Sequence, residues 1–128
     1  MIIYQTQHYK ELLEAGIKDD YSLGYTNING FRASFCYPYK WYSLEDEAVT
    51  TLRIHPFCFT GNTALYYESK KDLDMLAQAK LLIDEVKKYN GELISIFHNE
   101  AFDEQMKVKY EEFIQLAIAL PVNQQIKA

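Results

Sequence analysis

The sequence predicts one α/β domain, and three observations carry that reading. Apolar residues recur at helical spacing in three separate segments, short aromatic or apolar runs of strand type lie between them, and two of the helices lead directly into such a strand. At 128 residues the chain has the common size for a single core, and 48% hydrophobic and 15% aromatic content against 24% charged residues provides a packed interior.

In TQHYKELLEAGI, Thr6 can cap a helix over 6–16, Tyr9, Leu12 and Leu13 share a face, and Gly16 supplies the stop. YSLGY (21–25) is the first predicted strand, and TNING after it has turn chemistry because Asn and Gly tolerate positive φ. FRASFCYP (31–38) is the second strand and TLRIHPFCF (51–59) the third, with YKWYSLEDEAVT between them as a loop carrying Glu45, Asp46 and Glu47. Pro56 lacks an N–H, so the third strand belongs at a sheet edge or a bulge.

SKKDLDMLAQAKLLIDEVKKYNG is the strongest helix: Ser69 with Asp72 resembles a capping box, Leu76, Ala79, Ile83 and Val86 form one stripe, and Asn90-Gly91 ends it. Leu93 to Phe97 follows, apolar enough to be a central parallel strand covered on both faces. The last helix is capped by Asp103, carries Met106, Tyr110, Phe113, Ala117 and Leu120 on one stripe and stops at Pro121, with a loose tail VNQQIKA. Connection lengths set the topology. Parallel neighbours need a crossover of about a dozen residues, and the gap from Tyr25 to Phe31 is too short for one, so the second and third strands form an antiparallel excursion.

A net charge of −5 argues against a nucleic-acid partner, since that affinity comes from Lys and Arg displacing counterions. Lys70-Lys71 and Lys87-Lys88 lie on one predicted helix and read as a solvated face. No run is long and apolar enough for a membrane partner, and residues 1 to 20 lack a secretory pattern; the chain as written is expected to be soluble and cytoplasmic, with its true localisation open. Cys36 and Cys58 lie in apolar runs, where a free thiol behaves as a small hydrophobe; a disulfide is the lesser reading.

GELISIFHNE (91–100) begins with a turn glycine, runs through the apolar strand and stops at His98, Asn99 and Glu100. Functional side chains of α/β sheets and barrels sit at the carboxyl ends of parallel strands, where an imidazole such as His98 can move a proton near neutral pH. The competing reading is a histidine that hydrogen-bonds a neighbouring loop. The stretch resembles the last motif of the polysaccharide deacetylase family, metal-dependent hydrolases that remove acetyl groups from amino sugars on a distorted β/α barrel. ELLEAGIKDDYSLGYTNINGFRASFCYP is similar to a divergent, mostly bacterial branch of that family, in which a helix ending in Glu-Ala-Gly precedes an Asp-x-Ser strand and a Gly-Phe-Arg block. LRIHPFCF is similar to the proline-bearing segment this branch places before its penultimate helix. The resemblance covers about residues 9 to 102 and rests on the order and spacing of short motifs.

The resemblance implies a partial (β/α) barrel, with two βα-type parallel strands, an antiparallel hairpin excursion and three helices, equivalent to the C-terminal part of a deacetylase domain. It implies that His98 is the general acid protonating the departing amine and that Ile96 helps line the pocket for the acetyl methyl. Arg32, in the Gly-Phe-Arg block, would orient a carboxylate or hold a loop, with a simple salt bridge as the alternative. Asp20 is either part of the site or a solvated turn. The family's reaction needs a divalent metal such as zinc, held by an aspartate and two histidines, and a second aspartate as base. The resemblance places all of these, and the family's arginine-bearing motif, upstream of Met1, so neither a cofactor nor deacetylase turnover is expected of this chain alone. His8, His55 and His98 offer no pair at the helical spacing of a ready metal site.

The alternative function is a non-catalytic carbohydrate-binding or assembly module using CYPYKWYSLEDE, where Tyr37, Tyr39, Trp41 and Tyr42 either stack on sugar rings or pack onto their own core. The expected partners are a polysaccharide and either the missing N-terminal half or a second copy. A homodimer in which two copies bury each other's open sheets, testable by light scattering, follows from strand edges that a truncated barrel would expose.

Overall fold

Local chemistry ends each helix as the residue types require. The computed structural model describes residues 2–25, 28–61 and 75–119. Helix α1 (Ile2–Glu14) stops in a Schellman motif: Gly16 takes φ 79°, its N–H donates to the Leu13 carbonyl at 3.0 Å, and the Ile17 N–H donates to Leu12 at 2.9 Å. Because α1 starts at Ile2, Thr6 lies inside the helix and is not its cap. Helix α2 is described over Met75–Lys88 and ends the same way, with Asn90 at φ 54° and the Gly91 N–H donating to Val86 at 2.9 Å. Asp103 caps α3 (Glu104–Ile118), accepting from the Met106 N–H at 2.7 Å. At the other end of α3, the Lys87 ammonium donates to the carbonyls of Leu116 and Ala119, two of the groups a helix leaves without internal partners. Ser69, Asp72, Leu120, Pro121, the tail and Thr26-Asn27 of the turn lie outside the described residues.

Five short strands join these helices: β1 (Asp19–Asp20), β2 (Tyr39–Ser43), β3 (Ala48–Ile54), β4 (Phe59–Thr60) and β5 (Ser95–Ile96). They form two sheets, ordered β1-β3-β2 and β4-β5, with no closed barrel among the described residues. β1 runs parallel to β3 and β5 parallel to β4, while β2 and β3 form an antiparallel hairpin. The architecture is therefore a mixed α/β domain with three helices among the described residues.

The antiparallel excursion exists, but its first arm is not where the sequence reading placed it. FRASFCYP is a series of turns, with Gly30 at φ 142°, Ser34 at φ 64° and the Ser34 N–H donating to the Phe31 carbonyl at 3.1 Å. The arm is YKWYS, whose half-buried Tyr39 and Trp41 alternate with exposed Lys40 and Tyr42, the period of a strand with one covered face. Its reversal at residues 44–47 is held by Ser43, which donates to Asp46 Oδ2 at 2.9 Å and accepts from the Asp46 N–H at 3.2 Å.

Pro56 falls between β3 and β4, and the reason lies in how the central segment shares its hydrogen bonds. On one side Arg53, His55 and Phe57 donate to the carbonyls of Lys18, Asp20 and Leu23 at 2.8, 2.8 and 3.0 Å. On the other side Ile54 lies opposite Tyr39 of β2, and the Cys58 N–H donates to Ile94 at 3.1 Å. Pro56 is at the point on that second side where the neighbour changes from β2 to the β5 segment, so its missing donor costs no ladder bond. Among the described residues β5 thus occupies an edge, and Leu93 to Phe97 are half-buried where coverage on both faces was expected.

Two apolar clusters fill the interior. Cys58, Phe59, Met75, Ala79, Ile83, Met106 and Phe113 pack beneath α2 and α3, and Tyr9, Leu23, Leu52 and Ile54 beneath α1. Asn29 links the first cluster to the turn before it, accepting from the Thr60 N–H at 2.9 Å and donating to Gln78 at 3.3 Å. Both cysteines are free and buried, as the apolar runs suggested.

Candidate functional site

Two places bring chemistry-bearing side chains to the surface, and the four predicted site residues divide evenly between them. The first is a cavity of ≈ 280 Å³ enclosed by α1, the turns after β1 and the β2 arm of the hairpin. Arg32 and Trp41 both line it, together with Tyr9, Tyr39, Thr6 and Gln5. Trp41 packs its edge against Tyr9, with ring centroids 5.4 Å apart at 62°, so it serves the α1 cluster and the cavity wall at once. Tyr39 does the same beside Phe35, at 5.2 Å. Tyr37 turns elsewhere and donates to the Tyr89 carbonyl.

Asp20 stands behind this cavity and is buried, contrary to a solvated turn. Its carboxylate accepts from the Ser22 hydroxyl at 2.9 and 2.8 Å and from the Ser22 N–H at 3.3 Å. His8 Nε2 is 3.9 Å from it. Burial pushes the Tyr9 phenol up to about 12, with Tyr39 and Asp20 adding to the rise and Arg32 opposing it. Tyr39 is raised by burial and then by Asp20. Both phenols are consequently neutral hydrogen-bond donors at ordinary pH.

Arg32 forms no salt bridge with any described residue. Its Nη1 donates to the Gly24 carbonyl at 3.4 Å, a long contact. The backbone is brought close here because Gly24 lies against the Phe57 ring, where an added Cβ would sit 2.2 Å from Phe57 Cε2.

The second place is the tip of β5. Phe97 points inward, with ring centroids 5.0 Å from Tyr110 and 5.1 Å from Phe113, so the next residue, His98, points outward and is exposed. Ile96 is half-buried on β5, opposite Thr60 of β4. His98 precedes a 3-10 turn at Asn99–Ala101 and makes no side-chain cap bond to it. Neither Ile96 nor His98 lines the Arg32–Trp41 cavity.

A third constellation escaped the sequence reading. His55 is buried, with Nε2 2.8 Å from Asp19 Oδ1 and Nδ1 3.0 Å from Glu92 Oε2, and Tyr21 stacks flat on its ring at 4.3 Å and 9°. Desolvation lowers the imidazole pKa, but the hydrogen bonds to Glu92 and Asp19 and their negative charges together outweigh it, and the net shift is upward. With a carboxylate at each ring nitrogen, the favoured species is the imidazolium, donating to both. The two carboxylates lie on opposite sides of the ring and do not converge on one point. No group of three His, Cys, Asp or Glu side chains among the described residues is placed to hold a metal ion. No signal in the sequence marked His55, because Asp19 and Glu92 come from distant segments.

No helix among the described residues is long and apolar enough to cross a membrane. The chain matches no family model, no curated protein and no solved structure.

Proposed function

We propose that the chain is the C-terminal part of a polysaccharide deacetylase-like (β/α) barrel and that it does not deacetylate on its own. The observation that supports this reading is His98, exposed at the carboxyl end of a strand parallel to its neighbour and braced by Phe97 in the aromatic core. The central segment, with β1 on one side and β5 on the other, supports a piece of parallel barrel wall. In this reading His98 hands a proton to the departing amine and Ile96 lies beside the acetyl methyl. Water activation and oxyanion stabilisation, each a large part of the barrier, are assigned to no residue of this chain. Purified protein supplied with zinc is expected to release no acetate from a chito-oligosaccharide. Zinc-dependent release above a protein-free control would overturn the reading.

A second reading, a non-catalytic saccharide-binding module, is supported by a different observation: Arg32 and Trp41 line one aromatic-walled cavity that excludes His98. Titration with oligosaccharides separates the two. Saturable binding that Trp41→Ala abolishes and His98→Ala retains is expected for the module, and binding that depends on His98 instead returns the site to the β5 tip.

A further inference from the structure

We propose that the cavity beside α1 takes an acidic saccharide, with the sugar's carboxylate on the Arg32 guanidinium and its ring against Trp41 and Tyr39. This inference rests on the saccharide-binding reading and names the class of sugar. Arg32 is the single formally charged side chain among the residues lining the cavity. It is half-buried, it has only the 3.4 Å bond to the Gly24 carbonyl among described residues, and no described carboxylate lies within ion-pair distance of it. A guanidinium presents five N–H donors in a planar fork that matches a carboxylate, so most of that capacity has no acceptor among the described residues.

Asp20, whose charge acts on the Tyr9 and Tyr39 phenols, is already engaged. Asp20 is not a lining residue, and both of its oxygens accept from Ser22. The Tyr9 and Tyr39 phenols line the cavity and remain protonated, so they add neutral donors where a carboxylate or a ring hydroxyl could accept. Tyr39 and Trp41 supply the apolar faces against which the C–H face of a pyranose packs. At ≈ 280 Å³ the cavity is at the small end of ligand sites, which suits one ring and not an extended chain.

The test is a calorimetric or NMR titration of the full chain with galacturonic acid, its methyl ester and N-acetylglucosamine. The acid is expected to bind about tenfold or more tightly than the ester, as for gain of a charge-assisted bidentate pair, and Arg32→Gln is expected to erase that preference. Equal affinity for acid and ester overturns the inference while leaving saccharide binding intact. A preference for the acid that survives Arg32→Gln also overturns it, by moving the carboxylate elsewhere. Absence of binding by all three probes overturns the saccharide-binding reading along with it. The comparison of acid with ester uses the unaltered protein, so it does not depend on the variant's folding.

Discussion

Beneath α2 and α3 the buried interior is apolar with stacked aromatic rings, whereas beneath α1 the cluster of Tyr9, Leu23, Leu52 and Ile54 adjoins a cavity lined by phenols, an indole and a guanidinium. Phe59 and Phe113, 1% and 2% exposed, stack at 5.1 Å, and Phe97 meets both. At the other end Tyr9 is buried, while the half-buried Tyr39 and Trp41 divide their surfaces between core and cavity. Rings that spend their whole surface on packing cannot receive a ligand. Those that keep a face open give up some packing to do so, and the difference separates the end that stabilises the fold from the end that offers a site.

The sharpest way to break this comparison is to remove a ring from the closed end. Phe113→Ala is expected to cost about 3–5 kcal/mol in urea denaturation, the range for a buried aromatic. A loss below about 1 kcal/mol would mean that this end is not the dry core described. A middle-sized effect is expected at the joint between the ends, where His55 ties Asp19 of β1 to Glu92 before β5. Its folded pKa is raised above the ordinary 6.5, so its contribution is fully present below the unfolded value and is lost as pH rises through the folded one. Because both carboxylates are partly exposed, solvent screening keeps this loss well below that of the Phe113 truncation. A fall in the denaturation midpoint on the alkaline side that His55→Gln removes is the expected result, and an unchanged profile in the variant would remove the clamp. The smallest effect is at a helix end: Asp103→Ala is expected to cost about 1 kcal/mol through loss of the bond to the Met106 N–H. Undiminished stability there would show that α3 is held by its packed face alone.

What could be read in advance was what is decided locally. Gly16, Asn90-Gly91 and Asp103 end or start helices through bonds spanning a few residues, and each does so where the sequence pattern indicated. Strand bounds were not legible in the same way. A two-residue parallel strand such as β1 or β5 has too little sequence to show a period, and its limits follow from a partner far along the chain. Aromatic FRASFCYP looks like a strand, yet positive φ at Gly30 just before it and at Ser34 within it turns the chain, and the Cys36 carbonyl instead accepts from the Glu92 N–H at 2.7 Å. Of the candidate site, Arg32 and Trp41 were recognisable by residue type. Tyr9's place beside them depends on how α1 folds back over the hairpin, and the pairing of His55 with Asp19 and Glu92 depends on three segments meeting.

The switch of neighbours at Pro56 has a kinetic side. Beyond the local β2–β3 hairpin, the segment through Pro56 is straightened against β1, which precedes it, and the β5 segment, which follows α2, so that part of its order is set by contacts remote in sequence. Forming them means closing long loops before most of the reward arrives, so these parallel pairings are expected to form after the hairpin and the well-capped helices.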